Sequence, residues 1–279
     1  MAFAFEQSLG FLGLGLATGA YGTLIGAGGG FVLMPLLLLL YPNESPDLLT
    51  SISLAVVFFN ALSGSEAYAV MGRVDYKSGF LFALASVPGA VVGALSTSYV
   101  PRRSFDLIFG VLLAAGSILL LARPRARQAK TGPGGGLRLA RHLVDRDGQS
   151  FDYAFNPAIG LALSLFVGYA SSFLGIGGGI IHVPALIFLL NFPVHVATAT
   201  SHFILAIMAL SGTMVHILTG TFSHGVHRTI YLALGALIGA QVGARLSNHV
   251  KGVWIIRSLS LALGLVGVRI IVAAFQGGG

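Results

Sequence analysis

The sequence predicts an all-α polytopic membrane protein: two homologous repeats with glycine-broken helices, arranged most simply as inverted copies. Three observations predict it. Only 9% of the 279 residues are charged, 55% are hydrophobic, and the mean hydropathy is +0.87. A soluble domain carries roughly 25% charged residues. Asp, Glu, Lys and Arg are absent from residues 7–43 and again from the 75 residues 153–227; a soluble helix needs a polar face, and these runs supply none. Finally, one glycine-rich pattern occurs twice. At about 20 apolar residues per span, the chain holds about eight to ten membrane segments.

The same composition excludes disorder, a nucleic-acid partner and almost any soluble enzyme. Cysteine is absent, which removes disulfides, thiolate metal sites, iron–sulfur clusters and cysteine nucleophiles. No cofactor and no metal site is expected. The net charge of +7 is read as membrane topology, not as a nucleic-acid footprint. The apolar runs are continuous rather than alternating, which argues against a β-barrel.

Taken in order, the first segment covers 8–25. No basic residue precedes it, so it reads as a membrane segment and not as a signal peptide. The second, 29–41, is short: its helix would reach about 20 Å against a bilayer core of about 30 Å. It is either a half-helix dipping into the bilayer or a short span. Segments 47–71, 78–99 and 104–122 are of ordinary length. Beyond the central stretch come 157–174, a second short segment at 178–190, then 195–219, 228–247 and 253–275. Trp254, Tyr41, Tyr76, Tyr99 and Tyr153 stand at segment ends, where amphipathic rings anchor to the interface.

Residues 123–153 carry Arg123, Arg125, Arg127, Lys130, Arg138, Arg141 and Arg146. So many cations beside membrane spans mark a cytoplasmic loop. Its middle, residues 131–136, reads TGPGGG and is a flexible linker. Leu137, Leu139, Leu143 and Val144, interleaved with Arg138 and Arg141, could form a short helix on anionic lipid. The plainer alternative is a solvated tether between two halves.

The two sides of this loop resemble each other. Gly26, Gly28, Gly29, Gly30 and Pro35 match Gly175, Gly177, Gly178, Gly179 and Pro184 at an offset of 149. Ser63 and Gly64 match Ser211 and Gly212 at 148, and GAVVGA (89–94) matches GAQVGA (239–244) at 150. The chain therefore divides into a first repeat (1–122), a basic linker (123–153) and a second repeat (154–279). Five crossings per repeat would invert one against the other. With the central loop inside, Arg73, Lys77, Arg245 and Lys251 would also lie inside, and Arg102, Arg103, Arg228 and Arg269 outside. The charges favour inversion by a residue or two.

Three consecutive glycines cannot be an ordinary helix interior, since each costs about 1 kcal/mol relative to Ala. With Pro35 or Pro184 five residues on, each triplet marks a helix break. A break in a bilayer is tolerable only where protein or water lines it. The helix that restarts at Gly29 or Gly178 points its N–H groups and positive dipole end inward. Two such ends would bind an anion near the midplane. The competing reading is close helix packing through small residues. Neither copy is a dinucleotide fingerprint or a P-loop: Phe31 and Ile180 stand where the last glycine should, and no Lys follows.

Polar residues inside spans are functional candidates by default. Ser51, Ser53, Thr200 and Ser201 follow the breaks and could donate to an oxyanion, or bond back to their own helices. Asn60, Ser63 and Glu66 share a helix face, and Glu66 could carry a proton, or sit near the cytoplasmic end beside Arg73. His182, His202 and His216 occur only in the second repeat, opposite Leu33, Leu54 and Tyr68. His202 joins the binding candidates and His216 the proton-coupling ones, with a structural role as the alternative for each. His224 and His227 lack a nearby carboxylate and are not taken as a metal site.

With these motifs in view, the sequence resembles the TauE/SafE family of sulfite and organosulfonate exporters. The resemblance rests on the paired GxGGGxxxxP elements, on TSIS (50–53) and ATATSH (197–202), and on the Gly72-Arg73-Val74-Asp75 turn. Its second-repeat counterpart, Gly220-Thr221-Phe222-Ser223, is degraded. The resemblance implies a multi-pass inner-membrane permease for a small sulfur-containing anion. Gly28, Gly29, Gly30, Gly177, Gly178 and Gly179 would lie at its site, with Ser51, Ser53, Asn60, Thr200, Ser201 and His202. Duplicated membrane units are typical of secondary transporters. An anion channel, or an intramembrane enzyme using His182, His202 and His216, are the alternatives. Partners are the anion and the lipid bilayer, and the sequence leaves open whether two copies form a homodimer.

Overall fold

The computed structural model describes residues 2–122, 138–247, 249–250 and 252–276. Five helices precede the central stretch: α1 (Ala2–Ile25), α2 (Gly30–Leu40), α3 (Pro46–Val70), α4 (Tyr76–Thr97) and α5 (Arg102–Ala122). A hairpin of β1 (Leu139–Val144) and β2 (Ser150–Phe155) follows. Five more helices complete the fold: α6 (Pro157–Leu174), α7 (Gly179–Phe188), α8 (Val194–Leu218), α9 (Val226–Ser247) and α10 (Gly252–Gln276), with a 3-10 turn at Thr221–Gly225. Among the described residues, six helices, those at Ser8–Ile25, α3, α4, α6, α8 and the segment ending in α9, are long and apolar enough to cross a membrane.

Local chemistry starts several of these helices. The Ser45 hydroxyl accepts from the Leu48 amide at 3.2 Å, with Pro46 and Asp47 in the first turn of α3. Asp75 accepts from the Ser78 amide at 3.1 Å to open α4, and Asn156 from the Ala158 amide at 3.0 Å to open α6. These are side-chain N-caps, each satisfying a donor that the first helical turn leaves free.

Small residues set the closest helix contacts. Gly15 and Gly19 of α1 lie on Leu232 and Ala236 of α9, while Gly235, Gly239 and Gly243 lie on Leu12, Leu16 and Ala20. Gly89 and Gly93 of α4 lie on Leu165 and Tyr169 of α6 in the same manner. A β-carbon at these positions would strike the facing backbone, so only glycine permits the approach. Numbers rise together in both pairs, so α1 runs parallel to α9, and α4 to α6. The outer faces remain apolar: Leu84, Val92, Phe166, Leu234 and Ile238 are all exposed, as a surface facing lipid chains requires.

Hydrogen bonds fix which helix ends meet. Arg102, at the start of α5, donates to the carbonyls of Leu38 and Glu44 at 2.7 and 2.9 Å. Arg228, at the start of α9, donates to Glu44 Oε1 at 3.2 Å, and His216 near the end of α8 lies 3.3 Å from Asp47 at the start of α3. At the opposite end, Arg73 after α3 pairs with Asp145 in the hairpin at 3.3 Å. There the Asp75 amide donates to Thr200 Oγ1 in α8 at 3.0 Å, and Tyr153 packs 4.5 Å from Phe192 after α7. Hence α3 begins where α8 ends, α4 begins where α9 ends, and α2 and α7 finish at opposite ends.

These contacts settle the short segments. α1 starts at the Glu44 end, beside the start of α9, and α2 finishes at that same end. Between them Gly28 touches Val57 and Leu205, each the twelfth residue of a 25-residue helix. The chain therefore turns back at mid-depth. The 11 residues of α2 and 10 of α7 extend about 15 Å each, half a bilayer core.

The central stretch departs from both expectations for it. Neither a lipid-lying helix nor a bare tether forms over 139–155; the chain makes an antiparallel hairpin with Leu139 opposite Phe155 and Val144 opposite Ser150. Phe151, Tyr153 and Phe155 alternate along β2 and are buried with Val183, Leu186, Ile187 and Phe192. That period of two outweighs the helical spacing of Leu139 and Leu143. Asp145 Oδ1 accepts from the amides of Asp147 and Gln149 at 3.1 and 2.9 Å, closing the turn. Arg123, Arg125, Arg127, Lys130, the TGPGGG run, Leu137 and Lys251 lie outside the described residues.

Candidate functional site

The two breaks are built alike. Gly26, Gly28 and Gly29 have φ of 80, 75 and 75°, and Gly175, Gly177 and Gly178 have 70, 82 and 72°. This left-handed region favours glycine because it has no β-carbon. In the first break the amides of Ala27 and Gly28 turn back to the Gly22 carbonyl at 2.8 and 3.2 Å. In the second, the Ile176 amide turns back to Ser171 at 3.2 Å. The caps of α2 and α7 are Gly29 and Gly178, neither with a side-chain cap bond. The N–H groups of Gly29, Gly30 and Phe31, and of Gly178 and Ile180, find no backbone acceptor among the described residues.

The breaks pack against each other at mid-depth. A β-carbon on Gly30 would lie 2.6 Å from the Ile176 carbonyl oxygen, and one on Gly179 would meet the Gly26 carbonyl and Ala27. Two helix N-termini thus converge, with their positive ends and free amides inside a fully buried region. Hydroxyls surround them. Ser53 Oγ donates to the Gly175 carbonyl at 2.6 Å. Thr50, Ser171, Thr198 and Ser201 are buried, and their hydroxyl oxygens have no hydrogen-bond partner among the described residues. Thr50 touches Gly175, and Thr198 touches Gly26, so each threonine meets the other half's break.

The remaining sequence candidates are distributed differently. Ser51 Oγ donates back to the Leu48 carbonyl at 2.7 Å, the local alternative open to any helical serine. Thr200 receives the Asp75 amide at the hairpin end. Asn60 Nδ2 donates to the carbonyls of Gly19 and Ala236 at 3.0 and 3.2 Å, and its Oδ1 accepts from Thr23 at 3.1 Å. It ties α1, α3 and α9 together. His202 Nε2 lies 3.1 Å from Thr23 Oγ1, near the first break. His182 Nε2 lies 3.2 Å from Ser164 Oγ. His216 is at the Glu44 end with Asp47. Glu66 is exposed on the outer face of α3. The three histidines therefore bond to different partners and form no shared constellation. Among the described residues no group of His, Cys, Asp and Glu could hold a metal ion.

A second polar cluster closes the hairpin end. Tyr153 donates to Asp75 Oδ2 at 2.7 Å, and Arg141 Nε lies 3.5 Å from the same oxygen. Burial, then the hydrogen bond to Asp75 and its charge, push the Tyr153 phenol above its ordinary pKa.

Sequence reasoning passed over Thr50, Thr198 and Ser171. Comparing the halves at the offset of 148 would have exposed the first two as matched hydroxyls; Ser171 has no such signal, because Gly22 holds its place in the first half.

Oppositely directed sets of helices, apolar outer faces and two half-depth helices meeting at their N-termini define a multi-pass membrane protein of the transporter class. The chain belongs to the TauE/SafE family: the family model described as Sulfite exporter TauE/SafE matches residues 11–270. It is 33% identical over 266 residues to the Probable membrane transporter protein YunE of Bacillus subtilis, covering 92% of this chain and 95% of that one. A probable membrane transporter protein of Methanocaldococcus jannaschii is 22% identical over 267 residues, covering 91% of this chain and 92% of its own. One from Xylella fastidiosa strain 9a5c is 31% identical over 174 residues, 61% of this chain and 59% of that one. No solved structure matches. The protein is a membrane transporter.

Proposed function

We propose that this transporter is a secondary carrier of a small sulfur-containing anion, sulfite or an organosulfonate, and works by alternating access around the two glycine breaks. The observation that carries the reading is the convergence of two capless helix N-termini beside the unpartnered hydroxyls of Thr50 and Thr198. Unpaired N–H groups and hydroxyl donors in a water-excluded place supply what a desolvated oxyanion needs. The family's description, sulfite exporter, supports the substrate class.

The two halves act as inverted repeats in this reading, supported by the opposite directions of α3 and α8 and of α4 and α9. Rocking of one half against the other exposes a mid-depth site to each side in turn. The hairpin end, with Arg73, Lys77, Arg138, Arg141 and Arg146, is cytoplasmic by its positive charge, and the membrane is the inner one. A membrane potential negative inside favours anion export without further coupling. The transporter descriptions of the family and its relatives support a reading without enzymatic activity.

Counterflow in proteoliposomes tests the mechanism. A carrier preloaded with unlabelled sulfite accelerates labelled sulfite entry; a channel does not. Flux without counterflow would move the reading to an anion channel.

A further inference from the structure

The two breaks are alike in backbone but differ in what faces them. Gly22 and Ser171 hold matching places, 149 residues apart. At the first break, a β-carbon on Gly22 would run into the backbone of Gly28 and Gly29. The glycine lets the cap of α2 close onto α1. A β-carbon on Gly29 would accordingly lie 2.6 Å from the Thr18 carbonyl oxygen. A carbonyl oxygen there repels an anion. At the second break, Ser171 occupies that place. A β-carbon on Gly178 would lie 2.9 Å from Ser171 Oγ. That hydroxyl is fully buried and has no hydrogen-bond partner. At the cap position itself, Gly178 therefore has a free donor and the Met208 methyl beside it, where Gly29 has an acceptor.

We infer that the anion binds off-centre, at the N-terminus of α7, held by the amides of Gly178 and Ile180 and by the Ser171 hydroxyl. The α2 break is its packed structural counterpart. A hydroxyl that donates rotates freely and has one proton to give, so it pairs with an unprotonated acceptor atom on a small anion. This inference rests on the anion reading above and assigns that site to one repeat.

The test uses the purified full chain in detergent and calorimetric titration with sulfite. Wild type should bind one equivalent. Ser171→Ala should weaken binding by about tenfold or more, the loss expected of a hydrogen bond to a charged group. Ser172→Ala should leave the affinity unchanged, because Ser172 faces Gly212 on α8 instead. Wild-type affinity in Ser171→Ala would overturn the inference. Absence of sulfite binding to wild type would fail the sulfur-anion reading and leave the placement to a second arm. In that arm bromide, a generic anion, is soaked into wild-type crystals. An anomalous peak beside Gly178 and Ser171 sustains the placement; a peak beside Gly29, or none at either break, overturns it.

Discussion

The Tyr153 hydroxyl donates to the Asp75 carboxylate at 2.7 Å, joining the central hairpin to the first turn of α4. Asp75 also caps that helix, and its amide reaches Thr200 in α8. One residue of the first half thus holds the hairpin and the second half together at the end assigned to the cytoplasm.

Removing that carboxylate should loosen the hairpin. Tyr153→Phe deletes one hydrogen bond to a charged acceptor, about 1.5–3 kcal/mol. Asp75→Ala should cost more, since it also removes an N-cap, the ion pair to Arg141 and the acceptor of Tyr153. Limited proteolysis between Leu139 and Phe155 in detergent reports the order: cleavage fastest in Asp75→Ala, intermediate in Tyr153→Phe, slowest in wild type. Equal rates in all three would contradict the hairpin's attachment.

Close packing makes the glycine stripes sensitive by position. Gly93→Leu and Gly239→Leu press side chains into the carbonyls of Tyr169 and Leu16, and folded protein should be lost. Gly116→Ala meets nothing nearer than Leu263 at 3.6 Å and should gain up to about 1 kcal/mol of helix propensity. Size-exclusion profiles and thermal melts distinguish the cases. A well-folded Gly239→Leu variant would refute the contact.

Asn60 behaves in this account as a strut. Asn60→Leu removes three buried hydrogen bonds, two to helix carbonyls and one to Thr23, at about 0.5–1.5 kcal/mol each. The melting temperature should fall well below that of wild type. Unchanged melting with lost anion binding would make Asn60 a ligand instead.

Hydropathy alone made the ten helices legible, and the glycine triplets located both breaks. The re-entrant path was not legible, because nothing in residues 29–41 says which end the segment returns to; the Arg102 contact with Leu38 and Glu44 does. The hairpin was obscured by competing periods: Leu139 and Leu143 fit a helix, whereas Phe151, Tyr153 and Phe155 fit a strand. Among the hydroxyls, local spacing could not separate Ser51, bonded to its own helix, from Thr50 beside it, which faces Gly175. One residue step along a helix turns a side chain by about 100°, and only the packed neighbours decide which direction is inward.

The central claim is that the two converging breaks enclose one anion site lined by unpartnered hydroxyls, Thr50 and Thr198 among them. Its most direct test is initial-rate sulfite flux into proteoliposomes of wild type and the Thr50→Val, Thr198→Val double variant, with sulfate and an organosulfonate in parallel. Valine keeps the shape and removes only hydroxyls that bond to nothing in the structure, so the variant should fold like wild type. The account predicts saturable wild-type flux of a sulfur anion that drops by about tenfold or more in the variant, as loss of hydrogen bonds to a charged ligand requires. Equal flux in both proteins would contradict it.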